Sequence, residues 1–267
     1  MKIIVCVKQV PDTTEIKIDP VKGTLIREGV PSILNPDDAN AVEAALQLKD
    51  DFPGTTVTVL TMGPPQAKEI LRECFAMGCD RAILLTDRAF AGSDTWATSN
   101  ALAAAIRKVG PVDIVFTGRQ AIDGDTAQVG PQTAQRLGLP QVSYVMQMDV
   151  EEGGTLLVRR KLEDGYEEIR VKTPVLLTAV KELNTPRYMS IGGIMDAFEK
   201  EIEEWGMDAL DIAATDVGLK ASPTRVYRSF APDPKAAGKQ LEGSPKQQVA
   251  GLLAELKSYK LVLGGSK

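Results

Sequence analysis

The sequence predicts an α/β fold with a mainly parallel, doubly wound sheet, an antiparallel extension and a C-terminal arm. Up to about residue 140, short apolar runs typical of fully buried strands alternate with amphipathic helical segments. Beyond Gln141, strand-like runs follow one another across a few acidic and glycine residues, which is typical of antiparallel pairs. From Lys220 onward Pro223, Pro232 and Pro234 interrupt the chain, so we expect an arm there and not core.

The alternation of strands and helices can be followed in order along the first half of the chain. The predicted parallel strands are residues 2–7, 56–61, 81–85 and 112–117. The first predicted helix follows Asn35-Pro36, with Asp37 as the expected cap. Three further predicted helices cover residues 65–77, 93–109 and 126–137. Residues 14–30 alternate weakly around a turn, which indicates a hairpin-like excursion.

The second half predicts strands at residues 142–149, 155–162, 166–172 and 175–180, then a helix at about 194–204. A last helix, residues 246–259, carries an apolar stripe of Val249, Leu252, Leu253 and Leu256. From the residues alone, this arm either folds back on its own domain or clasps a partner.

Composition narrows the functional classes. The chain has 267 residues, 43% hydrophobic and 25% charged, which is enough to bury a full core. Its net charge of −5 argues against nonspecific nucleic-acid binding, which needs a basic face. The apolar runs are too short for membrane insertion, and the amino terminus enters a strand with no signal peptide. Three cysteines without metal-ligand spacing indicate buried thiols of a reducing compartment, the cytoplasm.

The chain contains no histidine. This removes the usual general base near neutral pH and every Ser-His-Asp or Cys-His arrangement. It also removes the commonest metal ligand. Any chemistry is therefore expected to come from a cofactor that the protein holds and tunes.

The loop after the fourth strand is the main candidate site. It contains Gly118 and Gly124 and runs into a predicted helix, whose first N–H groups have no partner and attract an anion. Arg119 could add a charge-assisted contact to a phosphate, and Thr126 and Gln128 neutral ones. The alternative is that Asp125 or Thr126 only caps the helix and the glycines only shape a turn.

Three other segments are candidate walls of the same site. Cys6 to Val10 follow the first strand, where open α/β sheets bind ligands. Asn35 precedes a proline, so its amide either faces a ligand or forms a turn. A second helix start, at Gly92, Ser93, Asp94 and Thr95, either contacts a nucleotide or is explained by capping alone. No Gly-x-Gly-x-x-Gly follows the first strand, which disfavours an ordinary Rossmann dehydrogenase.

Several separated motifs, in order, resemble the β subunit of electron-transfer flavoprotein, a family with a Rossmann-like, nucleotide α-hydrolase-like fold. They are residues 5–10 (Val-Cys-Val-Lys-Gln-Val), Asn35-Pro36, residues 121–125 (Ala-Ile-Asp-Gly-Asp), the signature-like residues 158–165 with 173–178, and residues 183–188 (Leu-Asn-Thr-Pro-Arg-Tyr).

This resemblance implies an adenine nucleotide in the β subunit and an electron-transferring FAD in an α subunit. The implied cofactor-binding residues are Cys6, Asn35, Met62, Arg119, Asp123, Gly124, Asp125, Thr126, Ala127, Gln128, Val129, Gly130 and Gln132. Housekeeping members bind AMP with a loop resembling Asp-Asp-Asp-Cys-Asn-Gln-Thr-Gly. The smaller Gly124, Ala127 and Val129 found here resemble the electron-bifurcating members, in which a second FAD replaces AMP.

The resemblance also implies partners and boundaries. NADH would reduce the FAD, with Gly92, Ser93, Asp94 and Thr95 as candidate NAD contacts, and electrons would pass to an acyl-CoA dehydrogenase and to ferredoxin or flavodoxin. Residues 1–183 would form the nucleotide-binding domain and 184–219 the recognition loop and helix, with Ile191 as docking anchor. Residues 220–267 would clasp the α subunit. The rivals are a housekeeping β subunit with AMP and a nucleotide sensor without electron transfer.

Overall fold

The structure is a computed structural model in which residues 1–12, 17–18, 25–26, 31–225, 227 and 238–259 are described. The chain divides into two compact units, Met1–Ser229 and Phe230–Lys267. The first unit therefore takes in the predicted recognition segment 184–219 together with residues 1–183. Parts of the predicted hairpin and of the predicted arm lie outside the described residues.

The strands are β1 (Lys2–Cys6), β2 (Gln9–Pro11), β3 (Lys17–Ile18), β4 (Leu25–Ile26), β5 (Ser32–Leu34), β6 (Thr56–Met62), β7 (Arg81–Leu85), β8 (Ile114–Gly118), β9 (Gln141–Val150), β10 (Thr155–Lys161), β11 (Tyr166–Lys172), β12 (Val175–Ala179) and β13 (Ile202–Trp205). The helices are α1 (Pro36–Asp51), α2 (Lys68–Met77), α3 (Thr95–Val109), α4 (Val129–Leu137), α5 (Ile191–Glu199), α6 (Gly218–Ala221) and α7 (Pro245–Ser258).

One nine-stranded sheet organises the first unit, in the order β11-β10-β9-β12-β8-β1-β6-β7-β13. All neighbours from β9 to β13 pair in parallel, and β9, β10 and β11 pair antiparallel. The predicted α/β class, with its parallel sheet and antiparallel extension, is confirmed. The short β3 and β4 pair antiparallel within the predicted hairpin region.

The prediction of a helix over residues 194–204 is wrong in its bounds. The helix α5 covers Ile191–Glu199, and residues 202–205 instead form β13 at the edge of the sheet. The acidic residues that suggested an exposed helical face form ion pairs with neighbouring elements: Glu203 with Arg81, and Glu204 with Lys68. Trp205 is buried against the same edge. Cross-element pairing thus overrides the local helical pattern.

Helices cover both faces of the sheet. Buried side chains of α1, α2 and α5 pack on one face with Ile3, Val5 and Phe116. Buried side chains of α3 and α4 pack on the other face with Ile4 and Leu60. The chain runs from β1 through α1 to β6 on one side, and later returns through α3 to β8 on the other side of β1. This reversal of strand order creates a crevice outside the carboxyl ends of β1 and β8.

The second unit contains α7, whose start is fixed by a capping box between Ser244 and Gln247. The predicted helix over residues 246–259 is thus present, shifted by one residue at each end. Along its apolar stripe, Val249 is 58% exposed, Leu252 48% and Leu253 41%.

Candidate nucleotide-binding site

A cleft of about 350 Å³ opens at the carboxyl ends of β1, β6 and β8. This volume is at the lower end of the range for small-molecule sites. Of the residues that the sequence predicted for ligand binding, those lining the cleft are Cys6, Val7, Lys8, Met62, Ser93, Asp94, Thr95, Arg119, Gly124, Asp125, Thr126, Ala127, Gln128, Val129 and Gly130. Asn35, Gly92, Asp123 and Gln132 do not line it.

Helix α4 points its amino terminus into the cleft without a side-chain cap. It begins at Val129, three residues later than predicted, because Asp125 and Ala127 take left-handed conformations with φ of 51° and 52°. The capping residue is Gln128, whose side chain makes no cap hydrogen bond. The alternative that Asp125 or Thr126 caps this helix is therefore wrong. The uncapped first turn is suited to an anionic group.

Gly130 brings this helix end against the sheet. A Cβ atom at Gly130 would lie 2.7 Å from Thr117 Oγ1 and 2.8 Å from Thr178 Cγ2. These threonines belong to β8 and β12, so no side chain fits at this position. The close approach places the positive end of the α4 dipole directly beside the strand ends.

The second helix start, at α3, is closed by side chains. Asp94 accepts the N–H of Ala97 at 3.1 Å as the helix cap, and its other oxygen accepts both the N–H and the hydroxyl of Thr224. Ser93 Oγ accepts the N–H of Gly218. The side chain of Asp94 thus caps α3, and the side chains of Ser93 and Asp94 attach residues 218–224 to this helix start. The assignment of this segment to NAD stays a prediction.

Thr95 and Gln128 join the two helix starts across the cleft. The Thr95 hydroxyl donates to Gln128 Oε1 at 2.8 Å, which leaves the two amide protons of Gln128 as donors for a ligand. Gln132 lies behind this pair, where its Oε1 accepts from Ser99. Gln132 therefore supports the α3–α4 contact and does not line the cleft.

Asn35 holds the candidate loop and does not face a ligand. The side chain is fully buried, donates to the carbonyl of Gln120 at 2.9 Å and accepts the N–H of Ile122 at 3.1 Å. The prediction of an amide free to face a ligand is wrong, because the loop backbone satisfies the amide. Asn35 also takes the cap position of α1, so the expected cap at Asp37 is wrong.

Charged side chains at the mouth of the cleft are already paired. Arg119 Nε lies 3.3 Å from Asp37 Oδ2, and Lys8 Nζ lies 2.6 Å from Asp123 Oδ1. Both cations line the cleft, so they can share their charge with a bound phosphate. Asp123 pairs with Lys8 and does not itself line the cleft.

Asp38 lines the cleft and was missed in the sequence, although it directly follows the Asn-Pro-Asp motif. Its oxygens accept the N–H of Lys8 at 2.8 Å and the N–H of Gly118 at 2.9 Å. Burial raises the pKa of its carboxyl to about 7, although these hydrogen bonds oppose the increase. Burial also raises the pKa of the adjacent Cys6 thiol to about 12, so this thiol is neutral.

Ile191, the predicted docking anchor, is 81% exposed at the start of α5. Tyr188, Met195 and Phe198 are also exposed, which extends the apolar surface along this helix. The preceding segment is fixed to α1 by Arg187, which forms a bidentate pair with buried Glu43. The exposed apolar surface is therefore carried by a firmly anchored segment, and its role in docking stays a prediction.

All three cysteines are buried and free, as predicted. No helix in the described part of the chain has the length and apolarity needed to cross a membrane.

A doubly wound sheet with an uncapped helix start at its switch point defines a nucleotide-binding class of α/β protein. Residues 22–210 match the family model of the electron transfer flavoprotein domain. The chain belongs to the electron-transfer flavoprotein family, as a β subunit.

Named relatives align over nearly the whole chain. The caffeyl-CoA reductase-Etf complex subunit CarD of Acetobacterium woodii is 60% identical over 98% of this chain and 100% of that protein. The electron transfer flavoprotein subunit beta of Clostridium acetobutylicum is 58% identical over 96% and 98%. The acryloyl-CoA reductase electron transfer subunit gamma of Anaerotignum propionicum is 48% identical over 96% and 98%.

Proposed function

We propose that this chain is the β subunit of an electron-bifurcating electron-transfer flavoprotein that works in the cytoplasm. Its cleft would bind a FAD that accepts a hydride from NADH. One electron would then pass through the FAD of an α subunit to an acyl-CoA dehydrogenase, and the other to ferredoxin or flavodoxin. The observation that carries this proposal is the loop of small residues beside an uncapped helix start.

The residues present fit a dinucleotide. The free N–H groups at the start of α4 suit a diphosphate, and Lys8 and Arg119 add positive charge at the same mouth. Gly124 is exposed and no atom lies within 4 Å of the position of a Cβ there, which leaves room on the ligand side of the loop. When bound, FAD supplies chemistry that the side chains lack, since a flavin takes up two electrons together and can release them singly.

The chain's own part is to bind and orient. Asn35 fixes the loop through Gln120 and Ile122, while Thr95 orients the Gln128 amide toward the cleft. Because preorganised donors need not rearrange when the ligand binds, these contacts favour affinity and a fixed cofactor position.

The proposed partners are supported by the names of two relatives and by exposed apolar side chains on α5 and α7. Two relatives are named as parts of an acyl-CoA reductase system, one with caffeyl-CoA and one with acryloyl-CoA. The exposed Ile191 and its apolar neighbours on α5 suit insertion into a pocket of such a dehydrogenase. The exposed apolar stripe of α7 suits an arm that clasps the α subunit.

A housekeeping β subunit with AMP is the second candidate. The observation that favours it is the modest volume of the cleft, about 350 Å³. A mononucleotide suits this volume without any part of the ligand extending beyond the mouth of the cleft.

Cofactor content decides between the two candidates. The complex of this chain with its α subunit is purified and denatured, and the released nucleotides are separated by chromatography and counted per heterodimer. Two FAD and no AMP are expected. One FAD with one AMP would replace the bifurcating assignment by the housekeeping one, and a colourless chain without an α partner would favour a nucleotide sensor.

A further inference from the structure

The carboxylate of Asp38 lies where the strand order of the sheet reverses. It accepts the N–H of Lys8, just after β1, and the N–H of Gly118, the last residue of β8. These are the two points at which the chain leaves the sheet to form the walls of the cleft. A single side chain therefore ties both walls together, and it lines the cleft itself.

The fit around this carboxylate is tight. Asp38 is only 6% exposed, and a Cβ atom at Gly118 would collide with its Oδ1. The titratable and charged groups near it are Cys6, Lys8, Asp37 and Cys74, and Arg119 lines the same cleft while pairing with Asp37.

Neither of the two nearby cations, Lys8 and Arg119, forms a salt bridge with Asp38. Lys8 pairs with Asp123 and Arg119 pairs with Asp37. Among residues 1–12, 31–225 and 238–259, no lysine or arginine forms a salt bridge with Asp38. Its charge is balanced by the backbone N–H groups of Lys8 and Gly118 and by the neutral side chain of Asn35, which is a costly arrangement for a buried carboxylate. Such an arrangement is typical of functional sites.

We propose that the ionised carboxylate of Asp38 is a positioning residue that holds the ends of β1 and β8 at the spacing the nucleotide requires. Protonation would turn one of its oxygens into a donor facing a backbone N–H, so one of the two bonds would be lost. The cleft would loosen, and nucleotide affinity would fall. The inference rests on the proposed function only in taking a nucleotide as the ligand.

The composition of the chain makes this proposal testable by pH. Without histidine, few groups titrate between about pH 6 and pH 8. Burial raises the pKa of the Cys6 thiol to about 12 and that of the Cys74 thiol well above its usual value, so both stay neutral. Burial raises the pKa of Asp38 to about 7, inside the window. The diphosphate diester of FAD does not change charge in this range.

The experiment uses the complete αβ complex after its releasable nucleotide has been removed by dialysis. FAD is added back, and its dissociation constant is measured at about pH 6, 7 and 8. The wild-type complex should bind FAD up to about tenfold more weakly at pH 6 than at pH 8. Asp38→Asn should bind about tenfold more weakly than wild type at pH 8 and should show no dependence on pH.

Two variants serve as controls. Asp113→Asn alters a carboxylate that accepts the N–H of Lys2 at the opposite end of β1, away from the cleft, and should keep the wild-type affinity and pH profile. Burial also raises the pKa of Asp37, so Asp37→Asn tests its share: the variant should still lose affinity as pH falls, with a lower midpoint because the Asp37 charge raises the pKa of Asp38. A wild-type affinity that is flat, or that rises as pH falls, would overturn the proposal. So would an Asp38→Asn profile parallel to that of the wild type.

The test remains decisive in two difficult cases. If Asp38→Asn does not assemble, the wild-type profile and the two controls decide alone. If the complex binds AMP and not FAD, the bifurcating function fails while Asp38 is still tested. In that case the affinity of the variant for AMP is divided by that of the wild type at each pH. The ionisation of the AMP phosphate affects both affinities equally and cancels in this ratio.

Discussion

The two helices that begin at the cleft differ in how their first turns are satisfied. Helix α3 is capped by the Asp94 carboxylate, which also holds Thr224, whereas α4 has Gln128 at its cap position and no side-chain cap. Their sequences before the helix look alike, with Ser-Asp-Thr in one and Asp-Thr in the other. A side chain that caps a helix occupies the N–H groups that an anion would otherwise bind. Asp125 does not cap α4, because its left-handed conformation comes before the helix begins.

The largest effect is expected from Gly130→Ala at the open helix. The new methyl group would collide with Thr117 and Thr178, so the start of α4 must move away from the strands. We expect a loss of about 1–3 kcal/mol in the free energy of unfolding together with loss of nucleotide binding. Denaturant unfolding and nucleotide content measure the two effects. Gly165→Ala, at an open position between β10 and β11, is the control; an equal loss there would show that the added methyl group is damaging without the collision at Gly130.

The closed helix should respond differently to loss of its cap. Asp94→Ala removes the bond to Ala97 and the contacts with Thr224, so we expect about 1–2 kcal/mol of destabilisation. Asp94→Asn keeps one accepting oxygen for the cap but replaces the oxygen that accepts from Thr224, so its stability should fall between those of wild type and Asp94→Ala. Thermal unfolding of both variants checks this. If the alanine variant melts like wild type, the capping role is wrong.

Gln128→Ala should alter ligand binding and leave stability unchanged. Gln128 is exposed, and its amide protons are free for a ligand while Thr95 holds its oxygen. We expect about tenfold weaker nucleotide binding, equivalent to one lost hydrogen bond of about 1.4 kcal/mol. Thr95→Val should lower affinity less, and Thr95→Ser should restore it. Equal affinity in Gln128→Ala and wild type would remove Gln128 from the binding site.

The smallest effect is expected from Thr126→Ala. Thr126 precedes an uncapped helix, and the structure gives its side chain no capping role. Stability should therefore change by less than about 0.5 kcal/mol. A larger fall in melting temperature would mean that α4 is capped after all, and the contrast between the two helices would disappear.

The proposed docking of a dehydrogenase at the exposed apolar surface of α5 gives an independent prediction. Ile191→Ala should slow electron delivery to an acyl-CoA dehydrogenase and leave the flavin content unchanged, because Ile191 is exposed and lies on α5, away from the cleft residues. Stopped-flow reduction of the dehydrogenase measures the rate. Unchanged rates would show that the dehydrogenase does not dock at this residue.

The strands were predictable because buried parallel strands leave continuous apolar runs; residues 81–85 coincide with β7. The start of α4 was not predictable, because alanine favours helices and nothing in the local sequence indicates that Ala127 is left-handed. Asn35 and Asp38 were misjudged or missed for a different reason. Their partners, Ile122 and Gly118, lie about eighty residues further along the chain. A single sequence does not show which distant backbone groups a side chain will meet.

The short β13 has a consequence for solubility in the crowded cell. An open sheet edge is a template on which other chains can add strands and aggregate. Here the exposed margin is only four residues long, and two of its residues are glutamates tied to Lys68 and Arg81. An incoming strand would meet an edge that is short and flanked by charged side chains. Glu203 and Glu204 thus disfavour strand addition at the β13 edge of the sheet.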